Sequence, residues 1–249
     1  DVLCPRADTE TLVDAVLGNL MPEQITSICA APSGAVPACA QRTDVEKPKV
    51  EASATLSTVD KCPDFLSHVD NEGASLLDVC TGSGCIAIAL TKFGAFRDTT
   101  AVDISDAALA IARRNADRLL ITEAVDFTLL RSDMFSALAE RTEDEQMKRY
   151  DVIVSNPPYI PSAVVDELEP EVRDYEPRIA LDGTADGLRF YRILAEESVQ
   201  YLKPGGRIYL EIGYDQGKRV PALLEAAGFR EVTVIRDFGG NDRVVAAHL

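Results

Sequence analysis

The tetrapeptide Asn156-Pro157-Pro158-Tyr159 carries the most specific chemistry in the chain. Two consecutive prolines stiffen the backbone and remove two N–H donors. What remains is acceptors: the Asn156 side-chain oxygen and the Pro157 carbonyl. Two acceptors converging on one point suit a planar NH2 group, which offers two N–H donors. Tyr159 adds an aromatic face against which a planar amide or base packs, and Pro158 completes the rigid turn. These four residues form the expected substrate site, with Asn156, Pro157 and Tyr159 as its catalytic part. A second constellation lies in Leu76-Leu77-Asp78-Val79-Cys80-Thr81-Gly82-Ser83-Gly84-Cys85, an apolar run that closes on glycines. Gly82 and Gly84 permit a tight turn and close approach of backbone to a ligand. Beyond it, Asp103 ends Ala101-Val102-Asp103, where an acidic side chain can accept both ribose hydroxyl protons of a nucleoside.

The glycine loop is not the G-x-G-x-x-G dinucleotide form, and it lacks the lysine of a P-loop. A nucleoside without a phosphate chain fits better, and S-adenosyl-L-methionine is the common one. Asp78, Cys80, Thr81, Gly82, Ser83 and Gly84 are expected along its methionine side, Asp103 on the ribose, and Asn156 close to both ligands. Composition narrows the field. The 249 residues hold 25 Lys and Arg against 41 Asp and Glu, a formal charge of −16. Such a chain repels a polyanion, so no nucleic-acid grip is expected. Two histidines, His68 and His248, leave little material for a His-rich metal site or a Ser-His-Asp triad, and no metal is expected. No apolar run approaches the roughly 18 residues of a membrane span. Six scattered cysteines in a chain of this size read as reduced thiols in a cytoplasmic or organellar compartment. Residue 1 is not Met, which leaves room for a longer or processed chain, and a monomer is expected.

These groups need elements to position them. From residue 75 onward, strand-like runs at 76–80, 99–103, 127–131, 150–155, 207–212, 232–236 and 243–247 alternate with helical patterns. Leu109, Ala112, Ala116 and Leu119 recur at three- and four-residue steps, as do Leu188, Tyr191, Ala195, Val199 and Leu202. Ser105 is placed to cap the first of these helices. Lys203-Pro204-Gly205-Gly206 is expected to stop the second. The alternation predicts an α/β fold with a mostly parallel sheet and helices on both faces. Residues 8–20 read as one helix, with Leu12, Val13, Val16, Leu17 and Leu20 on its apolar face. The chain therefore divides into an N-terminal helix leading into the catalytic domain (1–20), a segment of low apolar content (21–72), and the domain proper (73–249). The middle segment holds five of the thirteen prolines and three of the six cysteines. That composition predicts a flexible surface insertion.

The combination of blocks resembles the peptide chain release factor N5-glutamine methyltransferases. Pro5-Arg6-Ala7-Asp8-Thr9-Glu10, the loop at 78–84, Ala101-Val102-Asp103-Ile104-Ser105 and Val154-Ser155-Asn156-Pro157-Pro158-Tyr159-Ile160 follow in the family's order. Tyr175-Glu176-Pro177, Asp186-Gly187-Leu188, Glu211-Ile212-Gly213 and Asp242-Arg243-Val244-Val245 continue it. The resemblance spans nearly the whole chain apart from 21–72. It implies the class I S-adenosylmethionine-dependent methyltransferase fold, Rossmann-like, with seven strands and a reversed last hairpin. It also implies an enzyme that methylates the glutamine of a Gly-Gly-Gln tip in a class I release factor. It further places an adenine contact at Ser132-Asp133-Met134, with Met134 against the ring. Glu10, Glu176 and Glu211 are read as structural.

Two departures bear on this. Members of the family usually carry a helical N-terminal domain before the Pro-Arg block, and the sequence here begins almost at that block. Cys80 stands where glycine is commoner, a feature shared with sister enzymes that methylate a glutamine of a large-subunit ribosomal protein. An adenine N6-methyltransferase shares the Asn-Pro-Pro-Tyr logic, because adenine also presents an NH2. The charge of −16 and the 90 residues after Tyr159 leave that enzyme neither field nor target-reading domain. A non-catalytic module that docks a partner through the insertion is opposed by the intact Asn156 and Asp103.

Removing residues 26–61 is expected to leave the remainder folded, because closure entropy changes slowly with loop length. Thermal unfolding should stay a single cooperative transition. A lost transition would place the segment in the core.

Overall fold

Leu76 and Leu77 are both fully buried, yet they belong to opposite faces of one strand. Side chains alternate across a strand, so two adjacent buried leucines mean a sheet covered on both sides. The same alternation recurs at Val152, Ile153 and Val154, at Ile208, Tyr209 and Leu210, and at Val244 and Val245. In this computed structural model, which describes residues 7–20, 73–94, 96–139 and 147–249, these runs form a single seven-stranded sheet. The strands are β1 (Ala74–Val79), β2 (Phe96–Asp103), β3 (Asp126–Arg131), β4 (Tyr150–Ser155), β5 (Leu202–Glu211), β6 (Arg230–Arg236) and β7 (Asp242–His248). Their order is β3-β2-β1-β4-β5-β7-β6. β7 runs antiparallel to β5 and β6, and the other pairs are parallel. This is the Rossmann-like class I methyltransferase architecture with its reversed last hairpin.

On one face, α1 (Ala7–Leu20) brings Leu12 and Val16 against α2 (Cys85–Phe93), whose Ile86 and Leu90 share the cluster. On the other, α8 (Arg189–Tyr201) and α9 (Arg219–Ala226) bury Tyr191, Leu194, Val220 and Leu224. Between α2 and α8 in the chain lie α3 (Asp106–Leu119) and the one-turn helices α4 (Ser136–Ala139), α5 (Ser162–Val165), α6 (Pro170–Arg173) and α7 (Arg178–Leu181). Ser105 caps α3 as expected, its hydroxyl accepting from the Ala108 N–H at 3.2 Å.

The expected faces shift in two places. In α3 the buried stripe is Ala108, Ala112 and Ala116, whereas Leu119 is exposed. The cause is close packing against the glycine loop. A Cβ on Gly84 would stand 3.1 Å from the Ala112 Cβ, so only small residues fit there. The second shift concerns Lys203-Pro204-Gly205-Gly206, which does not lie between helix and strand. α8 ends at Tyr201, and the four residues sit inside β5 as an excursion. Leu202 pairs with Tyr150 and Arg207 with Val152, so the partner strand advances two residues while β5 advances five. Gly205, at φ 76°, supplies the left-handed turn that closes this bulge. The segment 21–72 lies outside the described residues.

Candidate active site

The connections after β1 and β4 leave the sheet toward opposite faces, opening a crevice beyond their carboxyl ends. Ligands of open α/β sheets bind at such a point. Here the chain leaving β1 turns at once. Cys80 adopts φ 62°, Gly82 φ 58° and Gly84 φ 78°, all in the left-handed region. Glycine reaches that region freely, whereas an L side chain costs about 1–2 kcal/mol there. This is the physical reason glycine would suit position 80. The Thr81 N–H donates to the Val102 carbonyl at 3.0 Å, tying the turn to β2. From α3, the Asn115 side-chain NH2 donates to the Ser83 carbonyl at 2.9 Å.

Asp103, at the end of β2, closes this arrangement. One carboxylate oxygen accepts from the Gly82 N–H at 2.8 Å and the other from the Ser105 N–H at 2.9 Å. The carboxylate thus spans the loop and the start of α3, and each oxygen keeps a lone pair for a ligand hydroxyl. Met134 follows β3 at φ 51°, almost fully buried, and belongs at once to the core and to the crevice wall.

Beyond β4, the Ser155 hydroxyl donates to the Val79 carbonyl at 2.6 Å and locks the two strand ends together. Asn156 is half-buried, and its NH2 lies 3.5 Å from the Thr9 hydroxyl on α1. Pro157 and Pro158 are buried, and Tyr159 is half-buried. The segment that follows folds back onto this turn. The Ile160 N–H donates to the Leu181 carbonyl, and the Gly183 N–H to the Ile160 carbonyl at 2.8 Å. Together these elements enclose a cavity of about 280 Å³.

Cys80, Thr81, Gly82, Ser83, Asp103, Met134, Asn156, Pro158 and Tyr159 all line that one cavity. Asp78, Gly84 and Pro157 are not among its lining residues. Several lining groups carry no local signal. Leu181, Arg189 and Phe190 arrive through tertiary packing. Glu211, read from the sequence as structural, is 3% exposed and borders the cavity, whereas Glu10 is exposed. Among the described residues no cluster of His, Cys, Asp and Glu is arranged to hold a metal ion.

Asp78 is fully buried under the loop. The Thr81 hydroxyl donates to one of its oxygens at 2.6 Å. Burial pushes its carboxyl from the ordinary value near 3.8 up to about 7, the Thr81 hydroxyl and the Ala87 N–H oppose this, and the charge of Asp103 adds to it. The thiols of Cys80 and Cys85 are also raised, chiefly by burial and Cys85 to about 11. Both are therefore neutral walls and poor nucleophiles. The site offers fixed acceptors and apolar surface around a neutral sulfur-lined floor.

Comparison with known proteins agrees with this geometry. A family model described as ribosomal protein L11 methyltransferase matches residues 53–176. The chain is 42% identical over 176 residues to the release factor glutamine methyltransferase of Geobacter sulfurreducens, covering 71% of this chain and 58% of that protein. It is 47% identical over 203 residues to the one of Caulobacter vibrioides, covering 81% and 65%. The chain thus spans less than two thirds of the length of these curated relatives. A solved protein-(glutamine-N5) methyltransferase (release factor-specific) from Alicyclobacillus acidocaldarius aligns over 98% of this chain and 93% of its own at 25% identity, with a TM-score of 0.45.

Two outcomes follow from the loop. Replacing Asp103 by Ala should weaken binding of a ribose-bearing ligand by about 1.5–3 kcal/mol, the scale of hydrogen bonds to a charged group. Calorimetry with S-adenosyl-L-methionine measures it, and unchanged affinity would remove Asp103 from the site. Asp78 sets the second. Its raised value means that the native state holds this proton more tightly than the unfolded chain. Its contribution to stability is complete below about pH 4 and is lost as pH rises through about 7. In Asp78→Asn the decline between pH 4 and 7 should flatten by an amount on the order of a few kcal/mol. Denaturant titrations at four pH values read the slope, and an unaltered slope would show that Asp78 is ionised throughout.

Proposed function

We propose that this chain, which belongs by sequence to the release factor glutamine methyltransferase family, transfers a methyl group from S-adenosyl-L-methionine to the side-chain amide nitrogen of a glutamine. The glutamine is that of the Gly-Gly-Gln tip of class I release factors. The observation that carries the proposal is one shared cavity in which the Asp103-held glycine loop meets Asn156, Pro158 and Tyr159 of the double-proline turn. Relatives that are 42% and 47% identical and bear this name support it.

The residues present fit the cofactor. Asp103 offers two fixed carboxylate oxygens for the ribose hydroxyls, Met134 and Ile104 offer apolar surface for a ring, and the Cys80–Gly84 turn lies alongside. The cavity of about 280 Å³ is near the lower end of small-ligand sites. When bound, the cofactor supplies an electrophilic methyl on a sulfonium. The protein's task is the nucleophile. An amide nitrogen is weak because its lone pair is delocalised. The Asn156 side-chain oxygen and the Pro157 carbonyl accept its two N–H bonds and hold the nitrogen in one orientation. Positioning of this kind supplies up to about 7–11 kcal/mol. The same acceptors favour positive charge developing on that nitrogen. Tyr159 packs against the amide plane. No dedicated base is required, because an alkylated amide cation sheds its proton readily.

The charge of −16 accords with a protein loop as substrate and disfavours a polyanion. Among the described residues no helix is long and apolar enough to cross a membrane. We take the enzyme to act as a cytoplasmic monomer, with 1–20 leading into the catalytic domain at 73–249 and 21–72 as an insertion. A second reading, methylation of a large-subunit ribosomal protein, draws on the family model matched at 53–176. That stretch contains the glycine loop and the Asn156-Pro157-Pro158-Tyr159 turn.

Mass spectrometry of a class I release factor after incubation with enzyme and cofactor tests the proposal. A single methyl on the tip glutamine is expected. Asn156→Ala should abolish it while leaving cofactor affinity nearly intact. Methylated adenine in DNA with an unmarked release factor would sink the proposal, and a marked ribosomal protein would move the enzyme to the sister branch.

A further inference from the structure

Gln216 lies outside every motif that the proposed function uses, and it does not border the cavity. It is nevertheless 2% exposed and makes three side-chain hydrogen bonds to the backbone of three separate segments. Its side-chain oxygen accepts from the Gly213 N–H at 3.0 Å, just past the end of β5. Its NH2 donates to the Tyr159 carbonyl at 3.1 Å and to the Gly187 carbonyl at 3.2 Å. The residue itself is anchored. Its N–H donates to the Gly213 carbonyl, and its own carbonyl accepts from Arg219 and Val220 at the start of α9. Both donors of the amide are therefore committed to buried carbonyls, one of them belonging to the last residue of the Asn-Pro-Pro-Tyr turn.

The neighbouring glycines show how tightly that carbonyl is gripped. A Cβ on Gly187, at φ 71°, would fall within 2.4 Å of the Tyr159 carbonyl oxygen and 3.0 Å of the Gln216 amide nitrogen. A Cβ on Gly183 would fall 2.8 Å from the Tyr159 Cα and 2.9 Å from the Pro158 carbonyl oxygen. Backbone is pressed against backbone here, and the Gln216 amide bridges the Tyr159 and Gly187 carbonyls across that contact. The double proline removes N–H groups through which a turn would otherwise hold itself. An external donor has to supply that constraint.

From this we infer that Gln216 is a positioning residue for methyl transfer: it fixes the Tyr159 carbonyl and thereby aims the acceptors of the turn at the substrate amide. The inference rests on the reading of Asn156 and Pro157 as amide acceptors. Gln216→Glu keeps the size and places a carboxylate oxygen against two carbonyls. Gln216→Met keeps the bulk and removes the donors, and it serves if the first variant fails to fold. The full chain is assayed with S-adenosyl-L-methionine and a class I release factor, well below the unfolding temperature of each variant. We expect kcat to fall at least about tenfold, a misplacement effect, with cofactor affinity by calorimetry within about twofold of the parent. In Gln216→Glu, kcat should recover in part as pH falls and the protonated carboxyl regains one donor. Asn156→Ala is run alongside. If it abolishes transfer while both Gln216 variants keep kcat within threefold, the inference is overturned. Equal loss of kcat and cofactor affinity would also overturn it, because the residue would then support the fold as a whole. If Asn156→Ala retains activity, the acceptor reading fails and the inference falls with it.

Discussion

The parallel pairing of β1 with β4 is the constraint on which the rest of the molecule depends. Four registered residue pairs, from Leu76 with Val152 to Val79 with Ser155, hold these strands side by side at the middle of the sheet. The chain leaving β1 enters α2 and packs on one face with α1. The chain leaving β4 returns through α8 on the other face. Two connections that diverge cannot cover the strand ends between them, so a crevice opens there. The Ser155 hydroxyl bonded to the Val79 carbonyl fixes the distance between its two lips. One lip carries the glycine loop and the other the double-proline turn. Their separation is thus a property of a buried strand pair and does not rely on loops finding each other.

The electrostatics of the crevice follow from where each carboxyl sits relative to water. Asp103 stands at the strand end, where two backbone N–H groups bond its oxygens and leave lone pairs for a ligand. Asp78 begins from the same chemistry but is sealed beneath the loop, where burial favours the neutral acid. Two aspartates flanking one glycine turn are therefore placed differently, one facing the cavity and the other bracing the turn through Thr81. The raised thiols of Cys80 and Cys85 fit the same pattern. A site that must orient a poor nucleophile gains from fixed dipoles in low-dielectric surroundings and gains little from a reactive thiolate.

The double-proline turn supplies rigidity along the chain but has lost donors to hold itself in place. Its Tyr159 carbonyl is held from outside by Gln216, the Ile160 that follows is bonded to Leu181 and Gly183, and its Asn156 side chain meets Thr9. Those supports come from the loop between β5 and α9, from the segment around the end of α7 and from α1. A small rearrangement in any of them reaches the acceptors through a stiff lever. Substitutions with no contact to either ligand can therefore alter the chemistry here.

Local sequence determined which end of the sheet the candidate site groups occupy. Asp103 closes an apolar run, the glycines of 82 and 84 follow another, and Asn156 follows a third, so each lies at a strand's carboxyl end by its neighbours alone. The strands themselves are legible for the same reason: burial on both faces demands unbroken apolar runs. Tertiary structure decided which of those groups see the cavity. Asp78 lies two residues from Cys80 on the wall, yet it is buried behind it. Thr9 meets Asn156 from 147 residues away, and Gln216 reaches Tyr159 across 57. The alanine stripe of α3 faces inward in preference to its leucines because Gly84 demands close approach. These outcomes depend on how helices settle on a twisted sheet. That packing is a relation between segments distant in the chain, and no periodicity within one segment encodes it.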